Sequence, residues 1–383
     1  MMSTISSWLS RLIQIPSVSP AQAGPRAGVP GEASIAQQLA TWFAEFGAQV
    51  HTEEVLPDRP NVYAILPGVS DRWLAVEVHT DTVGVEQMTG DPFRGDVREG
   101  RVYGRGAVDN KATLAIVLTL LEEMAQTGQR PAANLLIAAT VDEEVGTTGA
   151  PAAAAWLQRQ GLVIDQMIVA EPTLCTPIHG HKGVVRLAFT VQGQATHSSQ
   201  PHLGKNAIVG AAALINAMQQ EHERLQGLPA SPLGNPMLTV TLIEGGTGIN
   251  VVPDACTVSI DRRVVAGEAA QRVAAALQVL AESAAPLPVV TNSLTVIDAF
   301  YQPPDTPLVQ MLREWSGQEP QVAPYGTNAW AYVDIVKECV VFGPGSIDQA
   351  HGAEEWVAVA ELERAARVYQ RWLTGAGRFL EVD

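Results

Sequence analysis

Cysteine is scarce. The 383 residues hold three, at 175, 256 and 339, too few and too widely spaced for a disulfide framework or a thiolate zinc cluster. A reducing compartment is the expectation that follows. Basic residues are also few: 24 Lys and Arg stand against 40 Asp and Glu, a net charge of −16. Nucleic acid and anionic membrane surfaces would be repelled by that balance, so neither is expected as a partner. No apolar run approaches the roughly 20 residues that a bilayer span needs. Residues 1–11 lack the basic-then-apolar order of a secretory signal. A soluble, cytoplasmic protein is expected, without internal repeats or low-complexity tracts.

What is present fits a globular enzyme. Apolar residues make up 46% of the chain, enough for sizeable cores, and the length favours two domains. Up to residue 182, helical spacing (Ile35, Leu39, Trp42, Phe43; then Leu114, Val117, Leu118, Leu121) alternates with short apolar strands at 61–66, 73–79, 135–140 and 167–170. That order predicts an α/β layer on a central sheet. After Gly183 the texture changes. Val185, Leu187, Phe189 and Val191 alternate with small or polar residues, and the elements follow a β-α-β-β-α-β order, the ferredoxin-like α+β pattern. From about Phe300 the first texture returns, with a strand at 339–342 and a closing helix at about 358–373. The expected organisation is a catalytic domain in two pieces, 1–182 and 297–383, with 183–296 inserted between them.

Metal-capable side chains recur where strands end. His79-Thr80-Asp81 closes one strand; Asp109 sits in Gly104-Arg105-Gly106-Ala107-Val108-Asp109-Asn110-Lys111 before a helix. Asp142-Glu143-Glu144 and Glu171-Pro172 end two more strands, and His351 follows Gly343-Pro344-Gly345. Each alone has an ordinary explanation: a helix cap for Asp109, a surface histidine for His351, a solvated turn for the glutamates. Together they occupy the ends of strands where open α/β sheets place ligands.

The inventory has a chemical logic. Two imidazoles and three carboxylates are ligands zinc accepts, without the thiolates of a closed structural site. A carboxylate shared by two ions about 3.5–4 Å apart lets them acidify a water held between them. A further carboxylate must then carry the proton, which the Glu143-Glu144 pair can supply. Asp81 is placed to accept the second N–H of His79 and fix the ring.

These motifs resemble the co-catalytic metallopeptidase family that includes acetylornithine deacetylase, succinyl-diaminopimelate desuccinylase, aminoacylase and glutamate carboxypeptidase. The resemblance runs from His79 to His351, and includes Glu171-Pro172-Thr173 and Gly343-Pro344-Gly345-Ser346-Ile347-Asp348-Gln349-Ala350-His351. It implies a zinc-peptidase-like catalytic domain, a central mixed sheet flanked by helices, with an inserted dimerisation or lid domain. It implies two divalent ions, zinc first, with cobalt or manganese also accepted. His79 and Glu171 would hold one ion, Glu144 and His351 the other, and Asp109 would bridge them. Glu143 would be general base and then acid, with Asp81 behind His79.

In the inserted segment, Ala195-Thr196-His197-Ser198-Ser199-Gln200-Pro201 is similar to the family's dimerisation signature, in which the histidine stabilises the oxyanion in the partner subunit's site. A homodimer is therefore implied. Asn250, and Arg263 of Asp261-Arg262-Arg263, match substrate-binding positions, the arginine for the substrate carboxylate. Thr327 of Tyr325-Gly326-Thr327-Asn328-Ala329 matches a substrate contact.

The expected reaction is hydrolysis of the linear amide of a small N-acyl amino acid. Glu171-Pro172-Thr173, His181-Lys182-Gly183 and the loop ending at His351 resemble acetylornithine deacetylase most, which implies arginine biosynthesis. The alternatives are a desuccinylase, another N-acyl-amino-acid deacylase, or a glutamate carboxypeptidase or dipeptidase. A catalytically inactive binding protein of the same fold is the reading from another class, and the presence of Glu143 speaks against it.

Overall fold

The computed structural model describes residues 4–375. In chain order the elements begin α1 (Thr4–Ile13), α2 (Ala33–Glu45), β1 (Gln49–Leu56), β2 (Arg59–Leu66), β3 (Ser70–His79), β4 (Asp96–Arg98) and β5 (Arg101–Tyr103). There follow α3 (Lys111–Thr127), β6 (Ala133–Thr140), α4 (Gly149–Gln160), β7 (Ile164–Val169) and β8 (Ile178–His181). The middle of the chain supplies β9 (Gly183–Gln192), β10 (Thr196–His197), α5 (Ala207–Gln226), β11 (Met237–Gly245), β12 (Val251–Val252), β13 (Ala255–Val264), α6 (Ala270–Ala284), β14 (Val289–Ile297) and β15 (Phe300–Tyr301). The last part gives α7 (Pro307–Ser316), β16 (Gln321–Ala323), β17 (Val336–Val341), β18 (Trp356–Ala358) and α8 (Val359–Thr374).

Two compact units result. One comprises the chain up to His179, Gln302–Gln321, and Thr327 onward; the other comprises Gly180–Tyr301 and Val322–Gly326. In the first, strands run in the order β1-β2-β6-β3-β7-β17. The β1–β2 and β2–β6 pairs are antiparallel, whereas β6–β3, β3–β7 and β7–β17 are parallel. Central parallel strands are covered on both faces, so they read as nearly continuous apolar runs rather than alternating ones. Residues 74–79 of β3 and 135–140 of β6 are accordingly all buried. The core around them takes Leu9 and Leu12 from α1, Leu39 and Phe43 from α2, Leu114 and Leu118 from α3, and Tyr369 and Trp372 from α8.

Parallel pairing puts the C-terminal ends of β3, β6, β7 and β17 on one edge. The register sets His79 opposite Thr140, and Val169 beside both Glu77 and Val341. The chain leaves all four strands at one level, which is where the metal-capable residues fall.

The second unit has an antiparallel sheet in the order β11-β13-β9-β14, with α5 and α6 packed on it. Strand β13 alternates cleanly: Cys256, Val258, Ile260, Arg262 and Val264 are buried while their neighbours along the strand are not. This is the half-buried pattern of a sheet with helices on one face. Helix α5 begins at Ala207 because the Asn206 side chain accepts the backbone N–H groups of Ile208 and Val209 and fixes the start. Cys175, Cys256 and Cys339 are free thiols, and all three are buried. Among the described residues no helix is long and apolar enough to cross a membrane.

Candidate active site

Three of the strand-end residues meet directly. His79, Asp109 and Glu144 each place a ligand atom within 4.8 Å of the others. Asp109 lies between two imidazoles: its Oδ1 is 3.0 Å from His79 Nε2 and its Oδ2 is 3.2 Å from His351 Nε2. His351 Nε2 is also 3.1 Å from a Glu144 carboxylate oxygen. Glu171 follows β7 and is buried, close enough to repel Asp109 and Glu143.

The loops are held by local chemistry. Asp109 and Asn110 are joined by a cis peptide, and the Asn110 side chain donates to the Ala170 carbonyl beside Glu171. Gly345 has φ 79°, and a Cβ there would lie 2.2 Å from Val108, so only glycine lets the loop before His351 pack against the Asp109 loop. Asp142 and His351 both adopt the left-handed region, with φ of 63° and 61°. Neither is glycine, and such backbone is characteristic of sites whose surroundings over-determine the geometry.

Asp81 sits differently from the simplest expectation. His79 Nδ1 is 3.1 Å from the Asp81 main-chain oxygen and 3.5 Å from its carboxylate. The carboxylate instead accepts the backbone N–H groups of Glu143 (3.0 Å) and Glu144 (3.1 Å). Two peptide donors in line outcompete one distant ring N–H, so Asp81 secures the acidic turn as well as facing the ring.

Sequence reasoning missed the groups behind this turn. Arg59 reaches Glu32 (2.6 Å) and Asp142 (2.9 Å), while the Asp142 N–H donates to Glu32. Glu32 is fully buried, and the trio clamps the residue just before Glu143. Glu77, two residues before His79, is buried and accepts from Thr140 and from Asn328 Nδ2, which lies next to Thr327. A charge inside an otherwise apolar strand was the available signal for Glu77. No spacing rule marks Glu32 or Arg59.

The electrostatics follow from crowding. Burial, and then repulsion from neighbouring acids, pushes the Glu143 carboxyl up to about 8 against the pull of His79. Burial and the nearby Asp109 charge likewise raise Glu144 and Glu171. Asp109 moves the other way: burial opposes ionisation, but hydrogen bonds from His351 and His79 hold it well below the usual range. Burial works against a charged His79, yet its bonds to Asp109 and Asp81 raise it well above its ordinary value. Hydrogen bonds to Asp109 and Glu144 raise His351 to about 10. Three carboxylates, Asp109, Glu144 and Glu171, with two imidazoles make a donor set that suits divalent cations. The two oxygens of Asp109, aimed at different rings, have the disposition of a bridging ligand.

Of the residues expected to meet substrate, His197, Asn250 and Arg263 belong to the second unit and Thr327 to the first. His197 is exposed on the short β10–β12 ribbon, its Nδ1 2.8 Å from Ser199 Oγ. Asn250 is exposed, and its carbonyl accepts the Ser198 N–H. Arg263 is held by Asp261 at 2.7 Å and lines a cavity of about 420 Å³ with Lys182, Leu233, Met237 and Val322–Pro324. Arg262 instead points inward to Glu268. Thr327 is buried and caps the turn at Ala329.

Residues 75–375 match the family described as Peptidase family M20/M25/M40. The chain is 32% identical over 339 residues to an acetylornithine deacetylase of Klebsiella pneumoniae, covering 85% of this chain and 86% of that one. It is similar in structure to an M20 family metallo-carboxypeptidase from Sulfolobus solfataricus, with TM-score 0.76 and 18% identity over 97% of this chain and 99% of the other. A dinuclear metal-binding peptidase of the M20 family from Bacillus subtilis is similar at TM-score 0.68 and 15% identity, over 97% of each chain.

Proposed function

The chain belongs to peptidase family M20/M25/M40 and is a metal-dependent hydrolase of linear amides; on that premise we propose that it deacylates a small N-acyl amino acid, with N2-acetyl-L-ornithine the first candidate. The observation that carries the hydrolytic reading is Asp109 set between His79 and His351, with the raised carboxyl of Glu143 beside it. The kinship with an acetylornithine deacetylase over most of both chains favours the deacylase among the family's reactions, and with it arginine biosynthesis.

In this reading His79 and Glu171 would hold one divalent cation, Glu144 and His351 a second, and Asp109 would serve both. Zinc, cobalt and manganese all accept these donors. Such ions, when bound, polarise the amide carbonyl and lower the pKa of water. Glu143 takes the water proton and delivers it to the leaving nitrogen, a task that wants a carboxyl tuned toward neutrality. Asp81 keeps Glu143 and Glu144 in place through their peptide N–H groups. Arg263 offers its guanidinium to the substrate carboxylate, and Asn250 and Thr327 make further contacts. His197 donates to the developing oxyanion from a second subunit. The exposed edge strand β11, with Leu242 61% and Ile243 54% exposed, supports pairing between two copies.

A panel of N2-acetyl-L-ornithine, N-succinyl-diaminopimelate, N-acetyl-lysine, N-acetyl-citrulline and dipeptides, run on zinc- and cobalt-loaded protein, tests the assignment. Fastest turnover of acetylornithine is expected. Cleavage of dipeptides with no N-acyl amino acid turned over would replace the deacylase by a dipeptidase.

A further inference from the structure

Glu355 is a buried carboxylate that none of the roles above uses. Its side chain is 1% exposed, as is that of Arg105, whose guanidinium it meets at 2.7 Å. A buried carboxylate is strongly destabilising unless its lone pairs are satisfied. Here they are. The oxygen facing Arg105 also accepts the Gly106 N–H at 3.1 Å, and the other accepts those of Val108 (2.9 Å) and Asp109 (3.1 Å).

Backbone pairing fixes the arrangement. Glu355 immediately precedes β18, and β18 pairs with β5, which leads into the Gly104–Asp109 loop. The Gly104 N–H donates to the Glu355 carbonyl, so the loop starts in register beside the carboxylate and then folds around it. Arg105 extends the tie with a bond to the Gly84 carbonyl at 2.9 Å. Glu355 also lies four residues beyond His351. One side chain therefore joins the peptide of Asp109 to the segment that carries the imidazole on Asp109 Oδ2.

We propose that Glu355 is a positioning residue that sets the Asp109 carboxylate between the two imidazoles, and so sets the affinity of the paired cation sites. The inference rests on the two-cation reading above. In Glu355→Gln, an amide NH₂ must face either the Val108 and Asp109 N–H groups or Arg105 and the Gly106 N–H. Donors then oppose donors, and the Asp109 peptide shifts. Groups that orient ligands from behind typically contribute 10- to 100-fold to metal affinity.

The test is titration of chelator-stripped protein with Co²⁺, followed by its visible absorption and by calorimetry, with far-UV circular dichroism as the check on folding. Wild type is expected to take two ions per chain, and Glu355→Gln to bind them about 10- to 100-fold more weakly while remaining folded. Wild-type affinity and stoichiometry in folded Glu355→Gln would overturn the positioning role and leave the two-cation reading standing. Fewer than two ions in wild type would overturn both. Should Glu355→Gln not fold, Glu355→Asp, which keeps the charge but shortens its reach, takes the same titration. Weakened binding is again expected, and unchanged binding again overturns the proposal.

Discussion

The side chains singled out for chemistry are held in opposite ways in the two units. In the unit built on the parallel sheet, ionisable groups are buried and interlocked: Glu32 with Arg59 and Asp142, Glu355 with Arg105, Asp81 with the turn that carries Glu143 and Glu144. In the inserted unit, His197 stands exposed, its Nδ1 beside Ser199 Oγ, on a ribbon of two residue pairs. The contrast separates two strategies. A group that must hold a fixed distance to charged neighbours is surrounded by donors and acceptors, whereas the one proposed to act on another molecule is left on the surface.

The largest effect expected concerns turnover. Glu143→Gln should lower kcat by about 10²- to 10⁴-fold, the usual range for losing general acid–base help. Co²⁺ titration of the same variant should still find both ions, because this glutamate is assigned the proton and not the metal. Lost binding would move it into the ligand set.

A paired experiment then sets one unit against the other. Arg59→Met leaves Glu32 and Asp142 as unpaired buried charges, and denaturant unfolding should show a loss of about 3–5 kcal/mol. His197→Ala should change stability by no more than about 0.5 kcal/mol, as exposed sites do, yet cut kcat by about 10²- to 10³-fold if it serves an oxyanion. Equal destabilisation by the two would erase the distinction between the units.

The smallest effect is a trend with pH in metal-free protein. Glu143 is raised from 4.5 to about 8, so the folded state binds its proton more tightly than the unfolded chain does. Stability from that source is complete below pH 4.5 and is lost as pH rises through about 8. His351, raised from 6.5 to about 10, acts in the same direction over a higher window. The melting temperature of chelated protein should therefore fall from pH 5 to 9, and Glu143→Gln should flatten the lower part of the slope. Adding Zn²⁺ should restore more stability at the alkaline end, since ligands lose protons on binding metal. Melting that rises steadily with pH would contradict this.

Much of this architecture was legible in the residue order because the parallel strands and their helices carry strong periodicity. The strand ending at His79 stops at the expected residue, and helix α3 carries Leu114, Val117, Leu118 and Leu121 as their spacing implied. The ribbon of β4, β5 and β18 was not read, since three residues apiece are too few to show a period. Helix α7 also went unread, although Pro307 at its start and Gly317 after its end are both boundary signals. The metal-capable residues stood out through their position at strand ends. The groups that hold them did not: Glu354 and Glu355 are adjacent and identical, yet their side chains are 61% and 1% exposed. Only tertiary packing separates them. Along β13, Arg262 falls in phase with the buried Val258 and Ile260, whereas Arg263, singled out in the sequence by resemblance alone, is more accessible.

The three buried thiols give each unit its own reporter of opening. Burial pushes the Cys175 thiol up to about 12 and raises Cys339 too, and both belong to the unit with the parallel sheet; Cys256, also raised by burial, belongs to the other. Thiols in that state react negligibly until water reaches them. A timed pulse of maleimide during denaturation, read by peptide mass, would tell which half of the molecule loosens first, with no label engineered into the chain.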